Sequence, residues 1–230
     1  MVSILMPIYN GVYFIQESIS SILSQTQTDW ELIVGINGYP ALSNVFLTAE
    51  AYICSLDDPR IRLLDFPDCK GKAATLNAMV PVCKYPYVAL LDVDDIWLPQ
   101  KLEVQWPYLK QYDVIGTKCV YFGDLNSIPA IPSGDLSTFN FLQVNPIINS
   151  SVLIKKDLAK WNVEWDEVED YELWLRLWRE NRRFYNCPEV QVKHRIHRTS
   201  AFNSKGNHKH VAALRAGGSP PRGSAPTTPH

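Results

Sequence analysis

Val88-Ala-Leu-Leu-Asp-Val-Asp-Asp-Ile-Trp-Leu-Pro99 is the stretch of this 230-residue chain that says most about its fold. It opens with an apolar run typical of a buried strand, and a turn and a helix starting near Pro99 are predicted to follow. Between them lie three carboxylates, those of Asp92, Asp94 and Asp95. Open α/β sheets bind ligands at the carboxyl ends of their strands, so the stretch predicts such a sheet with acidic groups at its binding edge.

An acidic cluster in this position has two interpretations. Two carboxylates two residues apart in a bend can hold a hard divalent cation, and that cation can bind a diphosphate. This interpretation predicts a nucleotide substrate, whose leaving group the cation would neutralise. The alternative is a solvated turn held by local hydrogen bonds. An EF-hand is excluded because Ile, Trp, Leu and Pro follow Asp95. A phosphatase-type aspartate is disfavoured because the first strand ends in Pro7-Ile8-Tyr9-Asn10.

The chain before the carboxylates alternates between strand and helix patterns. Strands are predicted over residues 2–7, 30–36, 60–65 and 87–91. Helical spacing of apolar residues predicts helices over residues 13–24, 43–56 and 72–82. This alternation predicts an α/β fold with a mostly parallel sheet and helices on both faces.

The chain after the carboxylates is less regular. Strands are predicted over residues 113–122, 147–154 and 190–196, with a polar loop over 123–134. Residues 169–179 are strongly helical, with Trp174 and Trp178 on the apolar stripe expected to face the core. From about Ala216 the chain is rich in Gly, Pro, Ser and Thr, which predicts a disordered tail. Such a composition is also typical of segments added to a protein for expression.

Composition excludes several classes of function. A net charge of -2 gives no bulk attraction to nucleic acid, and no apolar run approaches the roughly 18 residues of a membrane span. The N-terminus has no basic region followed by a cleavage site. The five cysteines are scattered and include no Cys-x-x-Cys pair, as expected for free thiols in a reducing compartment. These features predict a cytoplasmic protein without an integral membrane span.

Five motifs occur in one order along residues 2–204. They are Val2-Ser-Ile-Leu-Met-Pro-Ile-Tyr-Asn-Gly11, Lys70-Gly-Lys-Ala-Ala-Thr-Leu-Asn77, Leu91-Asp-Val-Asp-Asp-Ile-Trp-Leu-Pro-Gln-Lys-Leu102, Glu169-Asp-Tyr-Glu-Leu-Trp-Leu-Arg176, and Arg195-Ile-His197 with Ser200. Together they resemble the inverting glycosyltransferases of family 2, which have the GT-A fold and use nucleotide-diphosphate sugars. One departure is visible: the family's second strand usually ends in paired aspartates, where this chain has Ile36 and Asn37.

The resemblance implies one GT-A domain over residues 1–215, with a mixed central sheet and helices on both faces. Its Rossmann-like nucleotide-sugar half would cover residues 1–99 and its acceptor half residues 100–215. It implies that Mn²⁺ or Mg²⁺ binds Asp94, with Asp92 beside the donor ribose or sharing the metal, and His197 on the metal or the diphosphate. Asp170 is the implied catalytic base, with Glu169 as the alternative. The remaining donor contacts implied are Pro7, Tyr9, Asn10, Asn37, Lys72 and Val93.

Some side chains keep two interpretations at this point. Asp95 could cap the helix near Pro99 or orient the donor sugar. Trp161 and Trp165 could line an acceptor site, and Arg195 and Arg198 could contact the diphosphate.

The expected activity is sugar transfer from a UDP-sugar to a hydroxyl of a glycan or another acceptor. A sugar-nucleotide pyrophosphorylase would need a Gly-rich basic loop, which Met6-Pro-Ile-Tyr-Asn-Gly11 does not supply. A catalytically impaired binding module is the other alternative, supported by the aspartate missing beside Asn37.

Overall fold

The computed structural model describes residues 1–197 and 207–219. The predicted roles of Arg198 and Ser200, and the predicted tail from residue 220 onward, therefore fall outside the described residues. Nine strands occur in the described part of the chain and form one sheet. They are β1 Val2–Ile8, β2 Trp30–Asn37, β3 Ile61–Phe66, β4 Tyr87–Leu90, β5 Ile96–Trp97, β6 Val114–Gly123, β7 Gly134–Asp135, β8 Leu153–Lys155 and β9 Phe184–Ile196.

The sheet has a parallel part and a mixed part. Its order is β3-β2-β1-β4-β8-β6-β9-β5, with β7 also paired to β9. The first four of these strands are parallel, as predicted, whereas β8 runs antiparallel to both β4 and β6. Strands β1 and β2 are buried along almost their whole length, which explains their nearly continuous apolar sequence.

Helices cover both faces of the sheet. They are α1 Ile15–Leu23, α2 Asn44–Leu56, α3 Lys72–Met79, α4 Lys101–Gln105, α5 Glu169–Arg179 and α6 Asn207–Arg215. One apolar cluster joins α1, α2 and α4 to the sheet, and a second joins α3, α5 and α6 to it. Helix α5 buries Leu173, Trp174 and Leu177 as its spacing predicts. No helix in the described ranges is long and apolar enough to span a bilayer.

The second half of the chain differs from the prediction at two strands. The strand predicted over 147–154 is wrong for its first part, because Asn149–Ser151 forms a 3-10 turn and only Leu153–Lys155 is a strand. The hydroxyl of Ser151 donates to the carbonyl of Ile148 at 2.7 Å, a local bond that competes with strand pairing. The last strand begins at Phe184, six residues earlier than predicted, and continues through a register shift against β6.

The predicted tail begins too early. Gly217 has φ of 71°, and the amide of Gly218 donates to the carbonyl of Ala213 at 2.9 Å. This is the left-handed glycine cap that ends many helices, so residues 216–218 complete α6. A glycine-rich composition does not by itself distinguish such a cap from the start of a disordered segment.

Candidate active site

The ends of β1 and β2 carry an aromatic pair. Tyr9 follows β1 and contacts Tyr39, with ring centroids 5.3 Å apart, and the Tyr39 hydroxyl donates to Asn10 Oδ1 at 3.3 Å. Gly38, with φ of 76°, allows this arrangement because a Cβ there would lie 2.9 Å from the Tyr9 ring. Asn37 is buried at the end of β2. Tyr9 remains 37% exposed, which leaves aromatic surface on which a base could stack.

Two further residues predicted to contact the donor are Pro7 and Val93. Pro7 lies in β1, in register with Gly35 of β2, and is half-buried. The Val93 side chain is buried, and its Cγ1 lies 3.3 Å from the position that a Cβ of Gly11 would take. Val93 therefore packs against the left-handed turn that follows β1.

Asp92 is held by three groups from two other segments. Its carboxylate accepts hydrogen bonds from Asn149 Nδ2 at 3.0 and 3.2 Å, and Lys72 Nζ lies 2.5 Å from Oδ1. Its backbone amide donates to Ser150 Oγ at 3.1 Å. Burial raises the pKa of Asp92, but the charge and hydrogen bond of Lys72 outweigh burial and hold it below the usual range. Both carboxylate oxygens are therefore engaged within the protein.

Asp94 and His197 form a second half-buried pair. Nε2 of His197 lies 2.9 Å from Asp94 Oδ2, and the two side chains are 22% and 23% exposed. Burial raises the pKa of Asp94, and the nearby charges of Asp95 and Asp92 raise it further. Because 103 positions separate these two residues in the sequence, only the family resemblance predicted that they lie together.

The donor set of Asp94 and His197 fits a divalent cation bound partly by its substrate. A carboxylate oxygen suits Mn²⁺ and Mg²⁺, and a neutral imidazole nitrogen is a common metal ligand in proteins. Neighbouring octahedral ligands at 2.0–2.1 Å are roughly 3 Å apart, close to the observed 2.9 Å. Within the described residues no group of three or more His, Cys, Asp or Glu side chains could hold a metal ion. Two protein ligands are enough where substrate phosphates and water complete the shell.

Asp95 anchors β9, contrary to both predicted roles. Its fully buried carboxylate accepts the backbone amide of Arg195 at 2.8 Å and lies 2.9 Å from His194 Nδ1. Burial lowers the pKa of His194, but the Asp95 carboxylate outweighs burial and raises it to about 9. A buried carboxylate with these partners neither caps a helix near Pro99 nor faces a donor sugar.

Arg195 is also engaged within the protein. Its guanidinium lies between the rings of Phe14 and Phe122, about 4 Å from each centroid. Nε donates to the carbonyl of Asp94 at 2.8 Å, and the outer nitrogen pairs with Glu17. Arg195 therefore ties β9 to the acidic turn after β4 through Nε and to Glu17 of α1 through one terminal nitrogen.

Helix α5 presents two carboxylates of different character. Glu169 is 5% exposed and lies 3.9 Å from Lys72 Nζ, whereas Asp170 is only half-buried. Asp170 accepts from Asn145 Nδ2 at 3.3 Å and from the backbone amide of Tyr171 at 2.6 Å. Burial raises the pKa of Asp170 against the opposing charge of Lys72, and burial raises that of Glu169 to about 8. Asp170 is the more exposed of the two carboxylates.

Helix α3 connects the turn that contains Asp92 to the segment before α5. The amide of Ala73 donates to Asp166 Oδ1 at 3.3 Å, and a Cβ on Gly71 would meet the Asp166 carboxylate at 2.1 Å. Asn77 Nδ2 donates to the backbone carbonyl of Trp161 at 2.7 Å, and Asn77 Oδ1 accepts the backbone amide of Trp161 at 2.9 Å. Lys72, at the start of α3, is thereby fixed between Asp92 and Glu169.

The tryptophans of this half are buried. Trp161 and Trp165 lie in the cluster that contains α3 and α5, and their burial favours the core over an acceptor site. The core role predicted for Trp174 is confirmed by its complete burial. Trp178 stacks on Phe141, with ring centroids 5.7 Å apart.

Sequence reasoning missed four residues of this site: Tyr39, Asn145, Asn149 and Asp166. Tyr39 could have been found as a second aromatic residue beside a glycine turn. The other three come from irregular segments whose place in the fold depends on distant strand pairing.

This fold and this site define a GT-A glycosyltransferase. The structure matches that of S. aureus TarS 1-349 in complex with UDP-GlcNAc, with a TM-score of 0.73 at 14% identity, over 94% of this chain and 65% of that chain. It also matches the mannosyltransferase PcManGT from Pyrobaculum calidifontis in complex with GDP-Man and Mn²⁺, with a TM-score of 0.65 at 17% identity, over 87% of this chain and 58% of that chain. This chain thus spans less than two thirds of either solved chain.

The sequence relationships are more specific. Residues 3–151 match the family described as Glycosyl transferase family 2. The chain is 30% identical over 217 residues to the Escherichia coli UDP-Glc:alpha-D-GlcNAc-diphosphoundecaprenol beta-1,3-glucosyltransferase WfgD, covering 89% of this chain and 81% of that protein. It is also 30% identical over 220 residues to the Escherichia coli O-antigen biosynthesis glycosyltransferase WbnJ, covering 89% and 83%. The chain belongs to glycosyltransferase family 2.

Proposed function

We propose that this protein is a metal-dependent inverting glycosyltransferase that moves a sugar from a UDP-sugar to a hydroxyl of a glycan acceptor. The observation that carries the proposal is that Lys72 lies between two acidic groups of residues. Its Nζ is 2.5 Å from Asp92, two residues before the Asp94–His197 pair, and 3.9 Å from Glu169, the residue before Asp170. Such an arrangement separates a site for the departing diphosphate from a site for a base.

The donor side supports a nucleotide diphosphate. Tyr9 and Tyr39 offer aromatic surface for a base beside Asn37, whose amide can donate to and accept from a base edge. Asp92, fixed by Lys72 and Asn149, lies next to Asp94 and suits a ribose hydroxyl. UDP is favoured because WfgD is named for UDP-Glc and TarS was solved with UDP-GlcNAc.

Asp94 and His197 would hold the metal, Mn²⁺ or Mg²⁺. When bound, the cation supplies positive charge that stabilises the departing diphosphate. The presence of Mn²⁺ in the PcManGT complex supports this choice. His197 has to be neutral to ligate, since a metal takes the lone pair of an unprotonated ring nitrogen.

Asp170 would act as the base in a single displacement. Its carboxylate takes the proton of the acceptor hydroxyl while that oxygen forms a bond to the anomeric carbon of the donor. The bond from the anomeric carbon to the diphosphate oxygen breaks, and its electron pair leaves with the diphosphate. Because the oxygen attacks opposite the leaving group, the anomeric configuration inverts. The raised pKa of Asp170 matches this role, since it brings the basicity closer to neutral pH.

Calorimetry of UDP binding tests the donor side. We expect Mn²⁺ to strengthen UDP binding to the parent protein, and Asp94→Ala to lose that dependence while keeping the parental melting temperature. Asp157→Ala, which removes an exposed aspartate after β8, serves as the matched control and should bind as the parent does. Metal-dependent affinity retained by Asp94→Ala would overturn the metal assignment.

The second candidate is a binding module of the same fold with impaired catalysis. Ile36 and Asn37 favour it, because they stand where the family usually has paired aspartates. Release of UDP from UDP-glucose, measured with and without Mn²⁺, separates the two candidates. Metal-dependent release with a product of opposite anomeric configuration supports the transferase, and metal-dependent binding without release supports the module.

A further inference from the structure

Both functional carboxylates are contacted by side-chain amides from one short segment. Asn145 donates to Asp170 Oδ2 at 3.3 Å, and Asn149 donates to both oxygens of Asp92 at 3.0 and 3.2 Å. Residues 145–151, here called the amide segment, therefore reach the base on one side and the donor carboxylate on the other.

The orientation of the Asn145 amide follows from its second bond. Its Oδ1 accepts the backbone amide of Ile147 at 3.1 Å, which directs the NH₂ group towards Asp170. A carboxylate accepts and an amide nitrogen donates, so this contact favours one orientation of the Asp170 carboxylate. The second Asp170 oxygen is already bound by the amide of Tyr171, and the two bonds together fix the carboxylate plane.

The other end of the segment is fixed from the core. Trp97 Nε1 donates to the carbonyl of Ser150 at 2.7 Å, and Gln105 Nε2 donates to the carbonyl of Ser151 at 2.8 Å. Gln105 in turn accepts from the fully buried Lys101 at 2.8 Å. These buried bonds leave Asn149 little freedom to move away from Asp92.

We propose that Asn145 and Asn149 are positioning residues, Asn145 for the base Asp170 and Asn149 for the donor carboxylate Asp92. The inference rests on the proposed function and assigns the two amides to different steps. Asn145 acts on the attack by the acceptor, and Asn149 acts on binding of the nucleotide. A general effect of the segment on stability would not separate these two steps.

Isosteric aspartate variants test the proposal. Asn145→Asp keeps the volume and the acceptor for Ile147 but cannot donate to Asp170. We expect kcat to fall roughly ten-fold to a hundred-fold, as for loss of a hydrogen bond to a charged group, with the Kd for UDP and Mn²⁺ unchanged. Asn149→Asp should instead raise that Kd by roughly ten-fold or more, because it places a second carboxylate against Asp92.

Asn140→Asp is the matched control. Asn140 is exposed, and its Oδ1 accepts the amide of Leu142 at 3.0 Å in the same local pattern as Asn145. This variant should keep the parental kcat and Kd. If an aspartate variant does not fold, Asn145→Ala and Asn149→Ala replace it, since they remove the donor without adding charge.

Parental kcat in a folded Asn145 variant, or parental UDP affinity in a folded Asn149 variant, would overturn the proposal. Equal losses of kcat and UDP affinity in both variants would also overturn it, because that pattern indicates a structural role alone. Failure of the proposed function looks different: the parent protein itself would then release no UDP from UDP-glucose.

Discussion

At the residue scale, adjacent aspartates of one turn have separate tasks because they face different surroundings. Asp94 lies at the open edge with His197, whereas Asp95 is fully buried and holds the backbone of β9. A buried carboxylate requires a partner, and His194 supplies it. The sequence Asp-Val-Asp-Asp gives no indication of this division, because it depends on a strand 100 positions away.

The buried His194–Asp95 pair predicts a pH dependence of stability. His194 has a folded pKa of about 9 against an unfolded value near 6.5. Its contribution is therefore fully present below about pH 6.5 and is lost as the pH rises through 9. We expect the free energy of unfolding, measured by urea denaturation at several pH values, to fall over this range. His194→Gln, which still donates to Asp95, should lack that component.

Glu169 titrates in an overlapping range, so the parent curve alone does not isolate His194. Its folded pKa of about 8 also makes stability fall as the pH rises, because the folded state binds more protons than the unfolded state. The difference between the parent and His194→Gln removes this contribution. A difference that stays constant from pH 6 to pH 9.5 would contradict the assignment to His194.

At the element scale, α6 supports α5, the helix that carries the proposed base. Leu214 is buried in the cluster that also contains α5, and Arg215 Nε lies 3.2 Å from the Tyr171 hydroxyl. Arg179, at the end of α5, donates to the carbonyl of Leu214 at 3.4 Å. Contacts at both ends of α5 therefore come from a helix that the sequence pattern did not predict.

A truncation series tests where the folded chain ends. Ending the chain at Ser219 should leave the melting temperature unchanged, since it keeps the cap formed by residues 216–218. Ending it at Arg215 removes that cap. Ending it at residue 206 removes α6 and the burial of Leu214, worth about 1.5–3 kcal/mol. At roughly 2–4 °C per kcal/mol, the last variant should melt several degrees lower in a thermal shift assay.

Two of the three end points can contradict the account, each in a different way. A large drop for the chain ending at Ser219 would mean that the later residues dock on the domain. A parental melting temperature for the chain ending at residue 206 would mean that α6 does not stabilise α5.

At the scale of the whole molecule, the parallel half followed from the sequence pattern, whereas the strand order of the mixed half did not. Strands β1 to β4 are near-continuous apolar runs separated by glycine turns and helices, a pattern that determines local structure. Strands β6, β8 and β9 pair across long loops, and β9 contains a bulge, so their order does not follow from local pattern.

The site residues divide in the same way into those that the sequence predicted and those that it did not. The carboxylates of the turn after β4 and of α5 were found through motifs that lie on regular elements. The two amides that position them were missed, because Asn145 and Asn149 lie in a stretch predicted as a strand or left unassigned. Hydrogen bonds between Asn77 and Trp161, and between Asp166 and the amide of Ala73 in α3, join the parallel half to the mixed half.

The central claim is that Asp170 is the base, and steady-state kinetics of Asp170→Asn tests it most directly. Asparagine keeps the shape and the bond from Tyr171 but cannot take the proton. We predict that kcat falls by about 10²–10⁴, with UDP affinity and melting temperature near those of the parent. Glu169→Gln, which changes the buried neighbour, should have a milder effect. An inactive Glu169→Gln beside a fully active Asp170→Asn would place the base one residue earlier, and full activity of both variants would contradict a base on this helix.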